Sequence, residues 1–179
     1  KKLCNKAKQQ THDVAAELLE IYANRKMARG RRHIANQTDY ENFCDGFEYI
    51  LTKDQAKVID EVLNDMASSK SMERLVCGDV GFGKTEVALR AAFTASINGF
   101  QVAILVPTTL LARQHFETFS ERFLNWPINV DILSRLQTSK KNQQLRKNIQ
   151  SGYADIVIGT HALLSDKVVF KNLGLVIVD

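Results

Sequence analysis

The chain has 179 residues, of which 45% are hydrophobic and 25% are charged, and its formal net charge is +4. These values are typical of one globular α/β domain with a sizeable core and a small appendage, and the charge permits a polyanionic partner. No apolar run approaches the length of a membrane span and the N-terminus lacks an apolar signal-peptide core, so we expect no membrane partner.

The cysteines indicate a reducing environment. Cys4, Cys44 and Cys77 are far apart, and the four histidines are equally scattered. No Cys-x-x-Cys pair and no Cys/His spacing typical of a zinc site occurs. An odd number of dispersed cysteines favours a reduced, cytoplasmic protein over a disulfide or zinc scaffold.

The first predicted element is a helix over residues 1–26. Its apolar residues recur at helical spacing and form a single face. They are Val14, Leu18, Ile21 and Tyr22. We expect this face to pack on the rest of the chain or on a neighbouring domain.

The next two segments separate this helix from the main body of the chain. Residues 25–33 are rich in arginine and lysine, which we interpret as a solvated helix end, with a nucleic-acid or protein contact as the open alternative. Residues 34–44 lack clear periodicity and are predicted to be a linker. The domain boundary is therefore predicted near Asp45, with the leading helix and linker in residues 1–44 and the main lobe in residues 45–179.

A helix and a strand are predicted ahead of a glycine-rich loop. Thr52 is a suitable N-cap for a helix over residues 53–68, which has an apolar face. The apolar run at residues 75–77 predicts a buried strand that leads into the loop.

The loop has the pattern G-x-x-x-x-G-K-[ST] of a phosphate-binding loop. Glycines let its backbone N–H groups point inward, and the N-terminus of the following helix adds partial positive charge. Lys84 is predicted to reach the β- and γ-phosphates, and Thr85 to ligate Mg²⁺. The residues predicted to hold the nucleotide phosphates are Gly78, Asp79, Val80, Gly81, Phe82, Gly83, Lys84 and Thr85.

Helices and strands then alternate to the end of the chain. The predicted elements are a helix after the loop, a strand at 101–106, a helix capped by Thr108 or Thr109, a half-exposed strand at 128–133, a polar helix at 139–150, and strands at 155–160 and 173–179. The second of these helices carries an apolar stripe that we predict to be core, formed by Ala112, Phe116, Phe119 and Phe123. Because most of the strands are apolar throughout, we expect a parallel sheet covered on both faces.

Asp179 supplies the second half of a nucleotide site. An NTPase needs an acidic residue at a strand end to hold the Mg²⁺ shell, and Asp179 follows the apolar strand at residues 175–178. A phosphate loop combined with an apolar strand that ends in Asp is a stronger signal than either part. We therefore predict Lys84, Thr85 and Asp179 as catalytic residues, Thr85 and Asp179 at the metal, and ATP with Mg²⁺ as cofactors.

Four segments carry a family resemblance. Residues 78–85, 107–115, 159–161 and 176–179 resemble, in the right order, motifs I, Ia, Ib and the start of motif II of superfamily 2 helicases and translocases. The loop with its flanks, and the leading helix, are similar to the bacterial transcription-repair coupling factors. The resemblance implies a RecA-like P-loop NTPase lobe, truncated at motif II, of an ATP-dependent double-stranded DNA translocase. It also implies RNA polymerase and excision-repair proteins as partners of a longer protein.

The resemblance also implies roles for individual residues. Gln55 would bond the adenine edge, and Tyr49, together with Phe47, would stack on the adenine ring. The residues implied to face duplex DNA are Thr109, Arg113, Thr160 and His161.

Three alternatives stay open at this point. A RecG-like branch-migration helicase would share the motor motifs, a P-loop kinase or phosphotransferase would need a basic lid and an acceptor pocket, and a non-catalytic module would only bind nucleotide and DNA. The resemblance places a Glu directly after Asp179 and an arginine finger in a second lobe. We therefore expect this chain alone to bind nucleotide without useful turnover.

Overall fold

The computed structural model describes residues 2–27, 29–79, 81–134 and 137–179, and at residues 2–10, 25 and 26 it describes the backbone alone. Four helices come first, and strands then alternate with helices to the last strand. The elements are α1 (Lys2–Met27), α2 (Gln37–Asp45), α3 (Lys53–Ala67), α4 (Lys84–Ile97), β1 (Gln101–Leu105), α5 (Thr109–Arg122), β2 (Val130–Leu133), α6 (Ser139–Ser151), β3 (Ile156–Gly159), a short 3₁₀ helix (His161–Leu164) and β4 (Leu173–Val178).

The four strands form one sheet in the order β2-β3-β1-β4, and every neighbouring pair is parallel. Leu105 at the end of β1 lies opposite Gly159 on one side and Val178 on the other, so the carboxyl ends of the strands are level. In open parallel sheets, ligands bind at this carboxyl edge. The predicted parallel sheet is confirmed.

Helices cover both faces of the sheet. Phe93 of α4 and Phe119 of α5 are fully buried in the larger core with Ile156 and Ile158 of β3. Val157, which points to the opposite face, packs with Ile149 of α6. Apolar side chains on both faces explain why β3, and β1 after Gln101, are apolar throughout rather than alternating.

The segment predicted to be a linker contains a helix instead. Asn36 caps α2 by accepting a hydrogen bond from the backbone N–H of Thr38. Phe43, one of its nine residues, is 1% exposed and stacks on Phe93 with the ring centroids 4.2 Å apart. One deeply buried aromatic ring, rather than a periodic apolar face, holds α2 on the lobe, and periodicity could not reveal it.

The strand predicted at residues 75–77 is wrong. No residue from 71 to 79 belongs to a strand, and Leu75 is 87% exposed. Arg74 instead ties the segment to α3 through ion pairs with Glu61 and Asp65, at 2.6 and 2.7 Å. A strand requires a hydrogen-bonding neighbour, and here a cavity separates the segment from β4.

The leading helix is confirmed, but its apolar face does not pack on the described lobe. Val14, Leu18, Ile21 and Tyr22 are each more than half exposed.

The basic segment after α1 is also not simply a solvated helix end. Arg32 donates to the carbonyl of Ala67 at 2.9 Å, and Arg31 donates to Asn172. His33, at 5% exposure, is buried against the Phe100 ring.

The remaining helices have the ends expected from the sequence. Thr52 and Gln55 form a reciprocal capping box at the start of α3, Thr108 rather than Thr109 caps α5, and Gly152 ends α6 with φ at +81°. None of the helices among the described residues is both long and apolar enough to cross a membrane.

Candidate functional site

The phosphate loop turns directly into α4. Gly81 and Gly83 have φ angles of +86° and +71°, a region that favours glycine. Gly83 is the N-cap of α4 and has no side chain to cap the helix, so the first N–H groups of α4 face outward for another acceptor. Gly78, Asp79, Gly81 and Phe82 are exposed, whereas Val80 lies outside the described residues.

Lys84 turns back over the loop. Its Nζ donates to the backbone carbonyls of Gly78 and Asp79, at 2.6 and 2.8 Å. The ammonium group is therefore held inside the curve of the loop, where a bound phosphate would have its oxygens. Phosphate oxygens are stronger acceptors for an ammonium group than neutral carbonyls are.

A cavity of about 200 Å³ joins the loop to the end of the sheet. Its polar end contains Lys84 and Thr85 from the start of α4, His115 from α5 and Asp179 after β4. The rest of its lining is mainly apolar, and this part of the cavity lies between residues 72–76 and β4. The structure therefore brings the three predicted catalytic residues together around one cavity.

The oxygen donors of this cavity suit Mg²⁺. A hydroxyl from Thr85 and a carboxylate from Asp179 are hard ligands, and Mg²⁺ commonly takes one or two carboxylates plus phosphate oxygens and waters. Within the described ranges, no cluster of three or more His, Cys, Asp or Glu residues could hold a metal by itself. These residues thus fit an ion that arrives with a nucleotide better than one held by an all-protein cage.

Asp179 has a side-chain partner that the sequence did not indicate. His115 Nε2 lies 2.6 Å from Asp179 Oδ2, and the carboxylate accepts this hydrogen bond from the ring N–H. The His115 side chain is 11% exposed, whereas that of Asp179 is 45% exposed. The resemblance included His115 in motif Ia but gave it no role.

Gln55 contacts the phosphate loop as well as its own helix. Its Oε1 accepts from the backbone N–H of Thr52 at 2.8 Å, and its Nε2 donates to the carbonyl of Phe82 at 2.7 Å. A Cβ added to Gly83 would lie 2.5 Å from Gln55 Nε2, so the loop packs tightly on this amide. Tyr49 is 74% exposed, and the Phe47 ring lies edge-on to the Tyr49 ring with the two ring centroids 5.6 Å apart.

A buried ion-pair network lies directly behind Thr85. Glu86, 3% exposed, accepts from Arg90 Nε at 2.7 Å and from Arg122 Nη2 at 3.3 Å. Arg122 also covers the Phe43 ring at 4.4 Å, which links α2 and α5 to the start of α4. Tyr40 lies beside Arg90, and burial raises the pKa of the Tyr40 hydroxyl to about 12.

The residues implied to face DNA lie along the carboxyl edge of the sheet with unequal exposure. Arg113 is exposed and pairs with Glu117 at 2.9 Å, His161 is exposed, and Thr109 is partly exposed. Thr160 is only 3% exposed, so its side chain is not accessible in this conformation.

A cavity of about 280 Å³ adjoins His161. Arg146 and Asn142 of α6 line it together with Ser134 after β2. The Nε of Arg146 and the Oδ1 of Asn142 are buried without a hydrogen-bond partner. The sequence places Arg146 among several cations of a polar helix, so no local signal distinguishes it from solvated neighbours.

Comparisons with known proteins agree on one family. The DEAD/DEAH box helicase profile matches residues 52–179. The transcription-repair-coupling factor of Escherichia coli (strain K12) is 52% identical over 174 residues, which are 97% of this chain and 15% of that protein. The same protein of Staphylococcus aureus (strain USA300) is 49% identical over 179 residues. The chain thus spans about 15% of the length of these curated relatives.

A solved structure described as RecG bound to a three-way DNA junction is also similar. It matches 88% of this chain and 22% of its own chain, with a TM-score of 0.81 and 39% identity. Together with the parallel sheet and the family match, this likeness confirms the RecA-like α/β fold implied by the motifs.

Proposed function

The chain belongs to the DEAD/DEAH box helicase family, and from this premise we propose that it is the first RecA-like motor lobe of an ATP-driven double-stranded DNA translocase. The longer protein is a transcription-repair coupling factor that acts in the cytoplasm on stalled RNA polymerase and recruits excision-repair proteins. Hydrolysis belongs to that longer protein, in which a second lobe completes the site.

One observation carries this proposal: Lys84, Thr85 and Asp179 line the same cavity at the carboxyl edge of the sheet. Lys84 binds the β- and γ-phosphates, with the loop N–H groups and the α4 N-terminus providing further donors. Thr85 and Asp179 hold Mg²⁺, which when bound neutralises phosphate charge during phosphoryl transfer. Because residues of β4 also line this cavity, a nucleotide bound at the loop lies next to the sheet.

Gln55 has the chemistry required for adenine recognition. Its amide has two donors and an oxygen with two lone pairs, and the structure uses one of each. One N–H and one lone pair are left for the adenine edge, which presents a matching acceptor and donor. The exposed ring of Tyr49, with Phe47 beside it, stacks on the base.

DNA lies along the carboxyl edge near Thr109, Arg113 and His161. These side chains offer a hydroxyl, a cation and a ring N–H, which suit phosphate contacts that position DNA without reading its sequence. Arg146, which lines the cavity beside His161, adds a positive charge near this edge. Thr160 is 3% exposed as a whole residue, so it makes no DNA contact in this conformation.

Replacing Arg113 with Ala should weaken duplex binding equally for unrelated sequences and should reduce the slope of log affinity against log salt by about one. Filter binding or fluorescence anisotropy at several salt concentrations measures both quantities. Glu117→Gln should act in the opposite direction, because it releases Arg113 from its ion pair. Lys57→Ala, at an exposed position of α3, is the control for loss of one positive charge. A sequence-dependent loss, or an unchanged salt slope, contradicts phosphate tracking.

A RecG-like branch-migration helicase is the second candidate, because the RecG structure shares the fold at 39% identity. The identity of 49–52% over nearly the whole chain favours the coupling factor. The longer protein carrying this chain should displace a stalled RNA polymerase from duplex DNA in an ATP-dependent reaction that Lys84→Ala abolishes. Efficient regression of a protein-free DNA fork without polymerase displacement would establish the RecG-like alternative instead.

A further inference from the structure

We propose that His115 is a positioning residue that orients Asp179 for Mg²⁺-dependent nucleotide binding. This inference rests on the proposed function, because it assigns Asp179 to the metal. It adds a residue to which neither the motifs nor the comparisons give a role.

The Asp179 carboxylate needs a support. Asp179 follows β4, the edge strand of the described sheet, and its backbone N–H donates to the carbonyl of Leu105 at 3.0 Å. That bond fixes the backbone but leaves the side chain free to rotate, and 45% of the side chain is exposed. Among the described residues, His115 makes the hydrogen bond that restrains the carboxylate. A metal ligand that samples several rotamers binds more weakly, because ordering its side chain costs free energy.

His115 is rigid enough to act as that support. Its side chain is 11% exposed, and its ring lies 6.2 Å from the ring of Phe119, which is fully buried. Helix α5 is fixed at its start by the Thr108 cap and at its end by Phe123 in the core. The ring N–H therefore has a defined position relative to the sheet, and so does the oxygen that accepts from it.

The contact leaves the metal-binding capacity of Asp179 intact. His115 bonds Oδ2, so this contact leaves Oδ1 available for a metal ion. Carboxylates that ligate metals are themselves usually hydrogen-bonded, and loss of such a partner typically costs about 10–100-fold in metal affinity. His115 has the place of such a partner, since it lines the same cavity as Lys84 and Thr85.

Two substitutions separate positioning from packing. His115→Phe keeps a ring of similar size against Phe119 but has no N–H to donate. His115→Gln is smaller and loses the ring contact, but its amide can place an N–H close to the position of Nε2. A packing role predicts that the Phe variant behaves as wild type, whereas a positioning role predicts that the Gln variant does.

The experiment measures the affinity of a fluorescent ADP analogue for this chain during titration with Mg²⁺. We expect the His115→Phe variant to need about tenfold more Mg²⁺ for half-saturation, with unchanged affinity when Mg²⁺ is absent. His115→Gln should restore most of the wild-type Mg²⁺ dependence. In an Asp179→Asn background, His115→Phe should have little further effect, because the two residues act through one contact.

The outcomes distinguish this inference from the proposed function. Wild-type Mg²⁺ dependence in a folded His115→Phe variant overturns the positioning role, and so does an equal loss of affinity with and without Mg²⁺ in both variants. Failure of wild type to bind the analogue, or equal binding by Lys84→Ala, overturns the proposed nucleotide site itself. Thermal melting of each variant reports whether it is folded.

Discussion

Lys84→Ala should weaken the binding of Mg-ADP or Mg-ATP to this chain by about 10- to 100-fold, as measured by calorimetry. The substitution removes a charge-assisted contact to phosphate, and hydrogen bonds to charged groups are typically worth about 1.5–3 kcal/mol. In the structure the Lys84 ammonium is held over the loop by the carbonyls of Gly78 and Asp79. Binding exchanges these neutral acceptors for charged ones without a large movement of the side chain.

The control for this prediction is Lys141→Ala, which removes the same charge from an exposed position of α6. It should leave nucleotide affinity unchanged within a factor of about two, because exposed charges away from the site are screened by solvent. Comparable affinities for wild type and Lys84→Ala would remove the phosphate-loop assignment. Circular dichroism of each variant confirms that loss of the two loop bonds has not unfolded α4.

The sequence correctly predicted the helices and strands whose ends are marked by neighbouring residues. Helix α3 begins at the Thr52 cap, α6 ends at Gly152, and β1 and β3 are apolar runs between turns. Each of these signals acts over a few neighbouring residues, so it is readable without knowledge of the fold. The phosphate loop is of the same kind, since Gly81, Gly83 and Lys84 act within one turn.

Features that depend on distant partners were not predictable in this way. Phe43 makes α2 part of the lobe only because Phe93 lies opposite, 50 positions further along the chain. The apolar run at residues 75–77 indicates a preference for burial, but strand formation requires a neighbour that the sequence cannot place. The pattern therefore predicted a strand where the described chain has no regular secondary structure.

In the candidate site, too, local signals predicted the residues, whereas contacts between distant residues were not predictable. Lys84 and Thr85 follow from the loop pattern, and Asp179 follows from the end of an apolar strand. The hydrogen bond between His115 and Asp179 spans 64 positions, and that between Gln55 and Phe82 spans 27. The parallel pairing of β1 with β4 brings the first pair together, and the packing of α3 on α4 brings the second pair together. The contacts that orient the predicted residues therefore became visible only in the structure.

Glu86→Ala should destabilise the chain by about 3–5 kcal/mol, because removing one member of a buried ion pair leaves its partners charged and uncompensated. Glu86 is 3% exposed and accepts from both Arg90 and Arg122, whose side chains are 9% and 12% exposed. Urea unfolding followed by circular dichroism measures the loss as a lower midpoint with an unchanged slope. Such a loss is a large fraction of the stability of an ordinary domain, about 5–15 kcal/mol.

Glu117→Ala is the matched control, since Glu117 pairs with Arg113 at the same i,i+4 spacing but on the surface. An exposed helical pair contributes about 0.3–0.5 kcal/mol, so the burial of Glu86, together with its second arginine partner, accounts for the expected difference between the two variants. Glu86→Gln is the second variant, in case Glu86→Ala fails to fold. It keeps an acceptor oxygen and loses only the charge, so its urea midpoint should be lower than those of wild type and Glu117→Ala but higher than that of any folded Glu86→Ala. Equal midpoints for the Glu86 and Glu117 variants would show that the buried network does not hold the start of α4. Because Glu86 directly follows Thr85, a confirmed loss would also show that the fold depends on a buried network adjoining the phosphate loop.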